Sequence, residues 1–572
     1  MFVWPKLYHE GEAESGYSGE KSVVVTLDRF DFKLLYCAPM VDSLSSIYEL
    51  LAARVAQAPD KIFLFSESDG REFTYAEFAA AVDRAASLLA ASDIGKGDVV
   101  SLLMPNSAEY IIAYFACWKI GALAGPVNSL LKEHEIEFVM NNSEAKAILV
   151  HSEFQPTIET IRTGLPHLRV IVSFDDEAEA TRPCQKPDRQ GGPLSQDALP
   201  DGRASDTISP GDDAIIIYTS GTTGKPKGCL LTHGNIIANA RQISQWLRFT
   251  ESDCLLTIMP LFHMNAVSVT TMSALYAGGS TVVSPKFSAS KFWNIISDYK
   301  ITSFGSVATM LSMLLNTYPE GVPAGLKTDQ LRFAMCGSAP VPAEVMKKFE
   351  ETFNCPVIEG YGLSESTCRS TFNPPDERRR PGSCGMSIGN EMKVVDDDDH
   401  EVPEGELGEI VLRGENILKG YFKNPEATEK AFRGGWFHTG DVGYRDKEGF
   451  FYIVDRKSDM IIRGGENIYP REIDEVLYQH PAVAAAATIG VPDQLYGEEV
   501  AAFIVLKEGQ QATEEELIAH CQSELADYKC PKTIRIVTDI PKGPTGKLLK
   551  RVLAGVYAAD ESQGTRKRSV EK

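Results

Sequence analysis

No stretch of the chain stays apolar for long. The longest run of that kind, Tyr110 to Trp118, falls well short of the roughly 20 residues that a membrane span needs. No two of the eleven cysteines stand in a C-x-x-C pair, which removes the usual zinc and thioredoxin-type signals. An odd number of scattered thiols fits a reducing compartment, where most of them pack as small apolar groups. Positive charge is in deficit: 57 Lys and Arg face 79 Asp and Glu, a net charge of −22. So acidic a chain is a poor binder of polyanions, which argues against nucleic acid as the main partner but leaves room for a local nucleotide site. Glu10, Glu12 and Glu14 stand where a signal peptide would carry its apolar stretch. The closing Ser569-Val570-Glu571-Lys572 matches no peroxisomal or prenylation signal, so a cytoplasmic location is the default expectation.

At 572 residues the chain is too long for one domain of roughly 100–200 residues. Residues 1–40 lack clear periodicity and read as an extension. From Met40-Val41 onward, strands and helices alternate, which predicts an α/β architecture with largely parallel sheets. Thr74 and Glu77 form a capping box, and the helix behind it sets Phe78, Val82, Ala86 and Leu89 on one face. Val99–Met104, Ala145–Val150, Val170–Phe174 and Ala214–Tyr218 read as short buried strands, and Ser107–Gly121 as a helix. Between Asp175 and Asp213 the composition shifts to Pro, Gly, Asp and Gln, a long surface loop. The acidic run Asp396–Asp399 reads as a solvated hairpin turn. Beyond Phe450–Val454 the pattern changes. Val483–Val491 and Val500–Leu506 are strands, and Thr513 with Glu516 caps a helix that turns Leu517, Cys521 and Leu525 inward. The expected organisation is a large N-terminal domain over 41–457, a small, mobile α+β domain over 458–557, and a polar tail over 558–572.

The strongest chemical signal is Tyr218-Thr-Ser-Gly-Thr-Thr-Gly-Lys-Pro-Lys-Gly228 behind an apolar strand. Its glycines let backbone N–H groups approach anions, Thr219, Ser220, Thr222 and Thr223 add hydroxyls, and Lys225 and Lys227 add charge. Composition alone makes it a polyphosphate cradle or a flexible surface turn in equal measure. A Walker A loop is excluded, because the G-x-x-x-x-G-K-[ST] spacing is missing and Pro226 would break the helix that should follow.

This stretch resembles the phosphate loop of the adenylate-forming superfamily, which holds acyl-CoA synthetases, peptide-synthetase adenylation domains and beetle luciferases. Further segments resemble the family's motifs in the same order: Pro260-Leu-Phe-His263, Glu359-Gly-Tyr-Gly-Leu-Ser-Glu365, Gly435-Trp-Phe-His-Thr-Gly-Asp441, Asp455–Asn467 and Pro541-Lys-Gly-Pro-Thr-Gly-Lys547. The likeness runs from about residue 41 to about residue 557.

The resemblance implies ATP, Mg²⁺ and CoA as reactants, and a role for each matched residue. Thr219, Ser220, Gly221, Thr222, Thr223, Gly224 and Lys227 would cradle phosphates. Glu365, with Thr222, would hold Mg²⁺, a hard cation that wants oxygen ligands. Ser364 would donate to the α-phosphate. Asp441 would accept from both ribose hydroxyls, with Arg456 beside it, since a carboxylate can take two hydrogen bonds at once. Glu359, Gly360, Tyr361 and Gly362 would border the adenine, and Gly337, Ser338 and Ala339 would pass between adenine and acyl pocket. His263 would position the acid rather than act as a base, because a carboxylate is already ionised at pH 7. Lys547 would bridge carboxylate and α-phosphate during adenylation. Ser458 falls at the family's hinge position, where Lys or Asp is common. Gly464 and Gly465 would line the thiol tunnel, and Tyr528 and Lys529 would meet the nucleotide end of CoA. Cys530 stands where some relatives carry Arg.

Taken singly, most of these residues have blander readings: Glu365 as a helix N-terminal acid, Tyr361 and His263 as core residues, Lys547 as a surface charge. The leading expectation is an ATP-dependent acid–CoA ligase, a monomer or homodimer. A carrier-loading adenylation enzyme, a non-catalytic binding relative and a luciferase-type oxygenase stay open as alternatives. Phe262-His263 replaces the Phe-Asp of amino-acid-activating relatives, so an α-amino acid is not expected. Met264, Val267, Phe304 and Val307 are the candidate pocket walls. Being apolar, they suggest a fatty or aryl acid rather than a dicarboxylate. Ile358–Glu365, Phe372-Asn-Pro-Pro and Gly464–Val476 look most like bacterial-type medium- or long-chain fatty acyl ligases.

Overall fold

The computed structural model describes residues 44–174, 207–219, 226–337, 341–542, 548–550 and 552–557. Two seven-stranded sheets dominate. The first runs Val357–Glu359, Phe333–Cys336, Ser303–Ser306, Cys254–Thr257, Ser280–Val283, Ile62–Ser66 and Glu72–Thr74, parallel except for the last pair. The second runs Gly420–Tyr421, Lys227–Thr232, Asp213–Thr219, Leu123–Pro126, Val99–Leu103, Ala147–His151 and Val170–Phe174. It is parallel from Asp213–Thr219 to its Val170 edge and antiparallel at the other end. Helices cover such sheets on both faces, so their strands are apolar throughout: every residue of Val99–Leu103 and of Phe333–Cys336 is buried. The expected α/β class with large parallel-rich sheets is the observed one.

Local chemistry accounts for the ends of the elements. Thr74 and Glu77 form the reciprocal capping box, and Phe78, Val82, Ala86 and Leu89 are all buried behind it. The strand from Val99 stops at Leu103, one residue short of the expected Met104, because Met104 precedes Pro105. The next helix spans Ala108–Lys119. Ser107 is its N-cap, accepting from the Tyr110 N–H, and Gly121 at φ +72° lies past its end. Ala147 rather than Ala145 opens the following strand, since Glu144 at φ +55° still belongs to the turn.

An antiparallel five-stranded sheet holds Glu391–Val395, Gly408–Arg413, Trp436–Arg445, Phe432–Arg433 and Phe451–Arg456. Asp396–Asp399 forms a turn after its first strand, with the Asp396 N–H donating to the His400 carbonyl. A last five-stranded sheet holds Glu466–Ile468, Ile461–Arg463, Gly497–Leu506, Val483–Asp493 and Thr533–Ile536. The helices Pro470–Gln479 and Glu514–Glu524 pack on it through Ile473, Leu477, Leu517 and Cys521. No helix among the described residues is long and apolar enough to cross a membrane.

Candidate active site

Ligands of open parallel sheets gather at the carboxyl ends of the strands. Here those ends carry the motif residues. The strand Val357–Glu359 runs into Gly360-Tyr361-Gly362, which bends back so tightly that a Cβ on Gly362 would lie 2.0 Å from the Cys368 carbonyl oxygen. Only glycine fits that approach. The turn delivers Glu365 in a short 3₁₀ segment, Ser364–Ser366, with Ser364 partly exposed beside it.

Glu365 gathers groups from three places. The hairpin strands Asp213–Thr219 and Lys227–Thr232 pair Thr219 with Lys227 across the glycine loop. Thr219 Oγ1 lies 3.5 Å from Glu365 Oε1, and the Tyr421 hydroxyl donates to the same oxygen at 3.2 Å. Lys227 Nζ sits over the Tyr421 ring, 5.2 Å from its centre. Burial and the Glu365 carboxylate hold the Tyr421 phenol far above its ordinary pKa, so it stays a hydrogen-bond donor. The Leu418 N–H, donating to the Glu365 carbonyl at 2.7 Å, fixes the backbone. The result, among the described residues, is a carboxylate with hydroxyls and the Lys227 ammonium around the stem of the glycine loop. A lone carboxylate with hydroxyl neighbours suits Mg²⁺, which takes one or two protein carboxylates and keeps water and phosphate for its other positions. Ser220, Gly221, Thr222, Thr223 and Gly224 of the expected cradle lie outside the described residues, as do Ser338, Ala339 and Lys547.

A second cluster joins the strand end to the antiparallel sheet. Asp441 stands opposite Arg456 in the register of Trp436–Arg445 and Phe451–Arg456. Arg456 Nε is 3.0 Å from Asp441 Oδ1, and the Tyr361 hydroxyl donates to Asp441 Oδ2 at 2.5 Å. Asp441 is 3% exposed. Burial first, and the neighbouring carboxylate second, keep the Tyr361 phenol protonated well beyond its ordinary range. The expected nucleotide residues Tyr361, Asp441 and Arg456 are therefore brought together. Glu359 is turned elsewhere: its Oε2 accepts from the Gly382 N–H at 2.9 Å, and burial raises its carboxyl to about 7.

His263 sits on the loop after the strand Cys254–Thr257. Asn106 holds that loop by donating to the Met259 carbonyl at 2.8 Å and accepting from the Leu261 N–H at 2.8 Å; Tyr114 donates to the Leu261 carbonyl at 2.8 Å. His263 Nε2 is shut off from solvent without a partner among the described residues, and burial lowers the imidazole to about 4. It is neutral at pH 7, which fits a positioning role. A π-helix follows over Asn265–Met272, the wide geometry that recurs at functional sites. Met264 and Val267 are buried at its start, and Val307 is buried at the start of the helix Ala308–Thr317. Phe304 is 0% exposed with its ring edge-on to Phe292, 4.9 Å between centres, so it packs as core.

The residues expected to serve CoA lie on the last sheet and its surroundings. Gly464 and Gly465 form an exposed hairpin turn with φ +60° and +92°, the combination that a two-residue turn of this kind requires. Lys529 is committed to both oxygens of Glu472 at 2.7 Å, and Tyr528 packs against the apolar core. Ser458 lies exposed in the turn after Arg456, its hydroxyl donating to Asp459 Oδ1 at 3.0 Å. Among the described residues, no hydrogen bond or ion pair joins this set to Tyr361 or Glu365.

Several site residues carry no sequence signal. Tyr421 reaches Glu365 from a strand of two residues. Thr367 holds φ +64°, a costly conformation for a β-branched residue, while its hydroxyl donates to the Asn416 carbonyl at 2.7 Å. Strain of this kind beside Glu365 marks a turn that the surrounding structure over-determines. Asn265 and Arg369 are buried with polar atoms that lack partners among the described residues.

Comparison with known proteins agrees with this geometry. Residues 51–422 match the family model described as AMP-binding enzyme, and residues 472–547 the model described as AMP-binding enzyme C-terminal domain. The chain is 37% identical over 507 residues to a sulfoacetate–CoA ligase of Cupriavidus necator, covering 87% of this chain and 95% of that protein. It is 36% identical over 515 residues to a long-chain-fatty-acid–CoA ligase of Mycobacterium tuberculosis, covering 89% and 98%. Among solved structures, an anthranilate CoA ligase in complex with anthranoyl-AMP superposes with a TM-score of 0.80 at 30% identity, covering 90% of this chain and 98% of that one.

Proposed function

We propose, from the premise that the chain belongs to the AMP-binding enzyme family, that it is an acid–CoA ligase working through an acyl-adenylate. The observation that carries this reading is the convergence of Thr219, Lys227, Tyr421 and Glu365 at the glycine loop with the Tyr361–Asp441–Arg456 cluster four residues back along the same turn. One cluster suits polyphosphate, the other a ribose.

In the first half-reaction a carboxylate oxygen attacks the α-phosphorus of ATP. A new P–O bond forms, the bond to the β-phosphate breaks, and pyrophosphate leaves with the electron pair. Asp441 accepts from the ribose hydroxyls, Arg456 supplies positive charge beside it, and Tyr361 borders the adenine. Lys227 faces the phosphates. Neutral His263 orients the acid. Glu365 would hold Mg²⁺, which when bound neutralises charge on the phosphate oxygens. Lys547 would bridge the two reacting anions. In the second half-reaction the CoA sulfur attacks the acyl carbon, the C–O bond to AMP breaks, AMP departs, and the thiol proton passes to solvent. Gly464 and Gly465 would line the thiol path, and Ser458 would serve as the pivot between poses of the C-terminal domain over residues 458–557.

Met264, Val267 and Val307 supply an apolar wall, which supports contact with the hydrocarbon part of the acid; this is what remains of the fatty or aryl expectation. The named relatives act on sulfoacetate, long-chain fatty acids and anthranilate, so the far end of the acid needs a separate argument. Release of pyrophosphate and AMP from ATP, dependent on an added acid and followed by thioester only with CoA, tests the reading. Release of ADP would overturn it.

A further inference from the structure

We infer that the acid carries a second anionic group, a carboxylate or a sulfonate, and that Arg369 recognises it. The inference rests on the acid–CoA ligase reading and departs from a fatty or aryl substrate.

Arg369 is 1% exposed. Its Nε and Nη2 are buried and have no hydrogen-bond partner, and no acidic side chain forms an ion pair with it among the described residues. Taking a guanidinium out of water without a partner costs several kcal/mol, so a buried cation of this sort is kept where something supplies the opposite charge. Nε and Nη2 form the edge of the fork that grips a planar anion in two parallel bonds. Arg413 uses the same two atoms in this protein, holding Glu391 at 2.8 and 2.5 Å. On Arg369 that edge is buried and has no hydrogen-bond partner among the described residues.

The side chain is built in rather than stray. Its backbone N–H donates to Asn239 Oδ1 at 3.3 Å, and its carbonyl accepts from Asn239 Nδ2 at 2.7 Å and Asn416 Nδ2 at 3.2 Å. The guanidinium lies 5.4 Å from the centre of the Phe372 ring. It also rests on Gly337, where a Cβ would meet Nη2 at 2.6 Å. Any residue but glycine there would displace it.

Gly337 continues the strand Phe333–Cys336, at the segment that the resemblance sets between adenine and acyl pocket. On the adjacent parallel strand, Gly305 pairs with Met335, so Gly305 and Gly337 open onto the same face of the sheet. A Cβ on Gly305 would lie 3.0 Å from Asn265 Oδ1. Neither polar atom of the Asn265 amide has a partner among the described residues, and the residue is 5% exposed. The two glycines are offset by one strand and two residues, about 8 Å. Arg369 and Asn265 therefore flank one face at the carboxyl end of the sheet, and Asn265 follows two residues after His263 with its own unpartnered Nε2. A fatty chain would leave all of these groups unmatched. An acid with a second compact anion would satisfy the fork of Arg369 and give the Asn265 amide a polar neighbour, with Met264 and Val267 beside its short hydrocarbon link.

The test is pyrophosphate release by the full-length enzyme with ATP and CoA over matched acids. Malonate, succinate, glutarate and sulfoacetate form the doubly anionic arm; propionate, butyrate, valerate, octanoate and benzoate form the other. A doubly anionic acid should exceed its matched monocarboxylate by about 10²-fold or more in kcat/KM. Preference for sulfoacetate or for a dicarboxylate identifies the second group, and either supports the inference. Arg369→Leu should abolish that margin. Octanoate or benzoate as the best acid of the wild-type enzyme would overturn the inference while leaving the ligase reading intact, and needs no variant to fold. An unchanged margin in a folded Arg369→Leu protein would overturn it too. Absence of acid-dependent pyrophosphate release in both arms would overturn the ligase reading and this inference with it.

Discussion

Tyr361 donates its phenolic hydrogen to Asp441 at 2.5 Å, joining the end of a parallel strand to an antiparallel sheet 80 residues further along the chain. The contact places the carboxylate proposed to accept from ribose next to an aromatic face, and it is where substitution should speak most clearly. Asp441→Ala removes a charged acceptor worth roughly 1.5–3 kcal/mol per hydrogen bond, so the apparent ATP constant should rise about ten- to a hundredfold. Tyr361→Phe keeps the ring and loses only the link, and should raise it less. Titration of ATP in the pyrophosphate assay separates the two; equal effects would mean that the pair acts as a single structural unit.

The pivot expectation is tested by Ser458→Pro. Proline fixes φ near −65° in a turn that would have to rotate between half-reactions. Acyl-AMP should still form while thioester formation slows more, as read by separate single-turnover assays. Equal slowing of both steps, or of neither, would remove Ser458 from that role.

Glu359 gives a pH signature to stability. Burial raises its carboxyl from 4.5 to about 7, so the folded chain holds this proton more tightly than the unfolded one. Its contribution to stability is fully present below the unfolded value and is lost as the pH rises through about 7. Glu359→Gln should flatten the stability–pH profile between about 4.5 and 7, measured as denaturant midpoints. A profile of unchanged slope would show that Glu359 does not titrate in that window. Asp474, raised to about 6 by burial, contributes a separate slope of the same sign that this substitution leaves in place.

Gly362 should not tolerate a side chain. A Cβ there would lie 2.0 Å from a backbone carbonyl oxygen, which cannot swing aside as a long side chain would. Gly362→Ala should lower stability by at least about 1–3 kcal/mol and disturb Glu365 with it. An unchanged denaturant midpoint would mean that the turn has a second arrangement.

Much of this was legible in the sequence, for identifiable reasons. Thr74 with Glu77 and Thr513 with Glu516 carry their capping in adjacent residues, and both boxes are present. Alternation of apolar strands and amphipathic helices announced the parallel sheets. The motif order predicted that Tyr361, Asp441 and Arg456 share one site, and they do lie together, although the register that sets Asp441 opposite Arg456 is a property of the folded sheet. What escaped depends on long-range packing. Arg369 looks in the sequence like any solvated arginine, and only the fold shows it 1% exposed on Gly337. Tyr421 reaches Glu365 from 56 residues away. Phe304 suggested a pocket wall by its place after a motif, and the fold spends it against Phe292 instead.

The central claim is that the acid is activated on ATP before any thiol is involved. Isotope exchange between pyrophosphate and ATP tests it most directly, using whichever acid of the matched panel supports pyrophosphate release. The account predicts exchange that requires the acid, proceeds without CoA, and falls by roughly 10²–10³ in Lys547→Ala. Exchange that required CoA, or that ran equally well with no acid present, would contradict it.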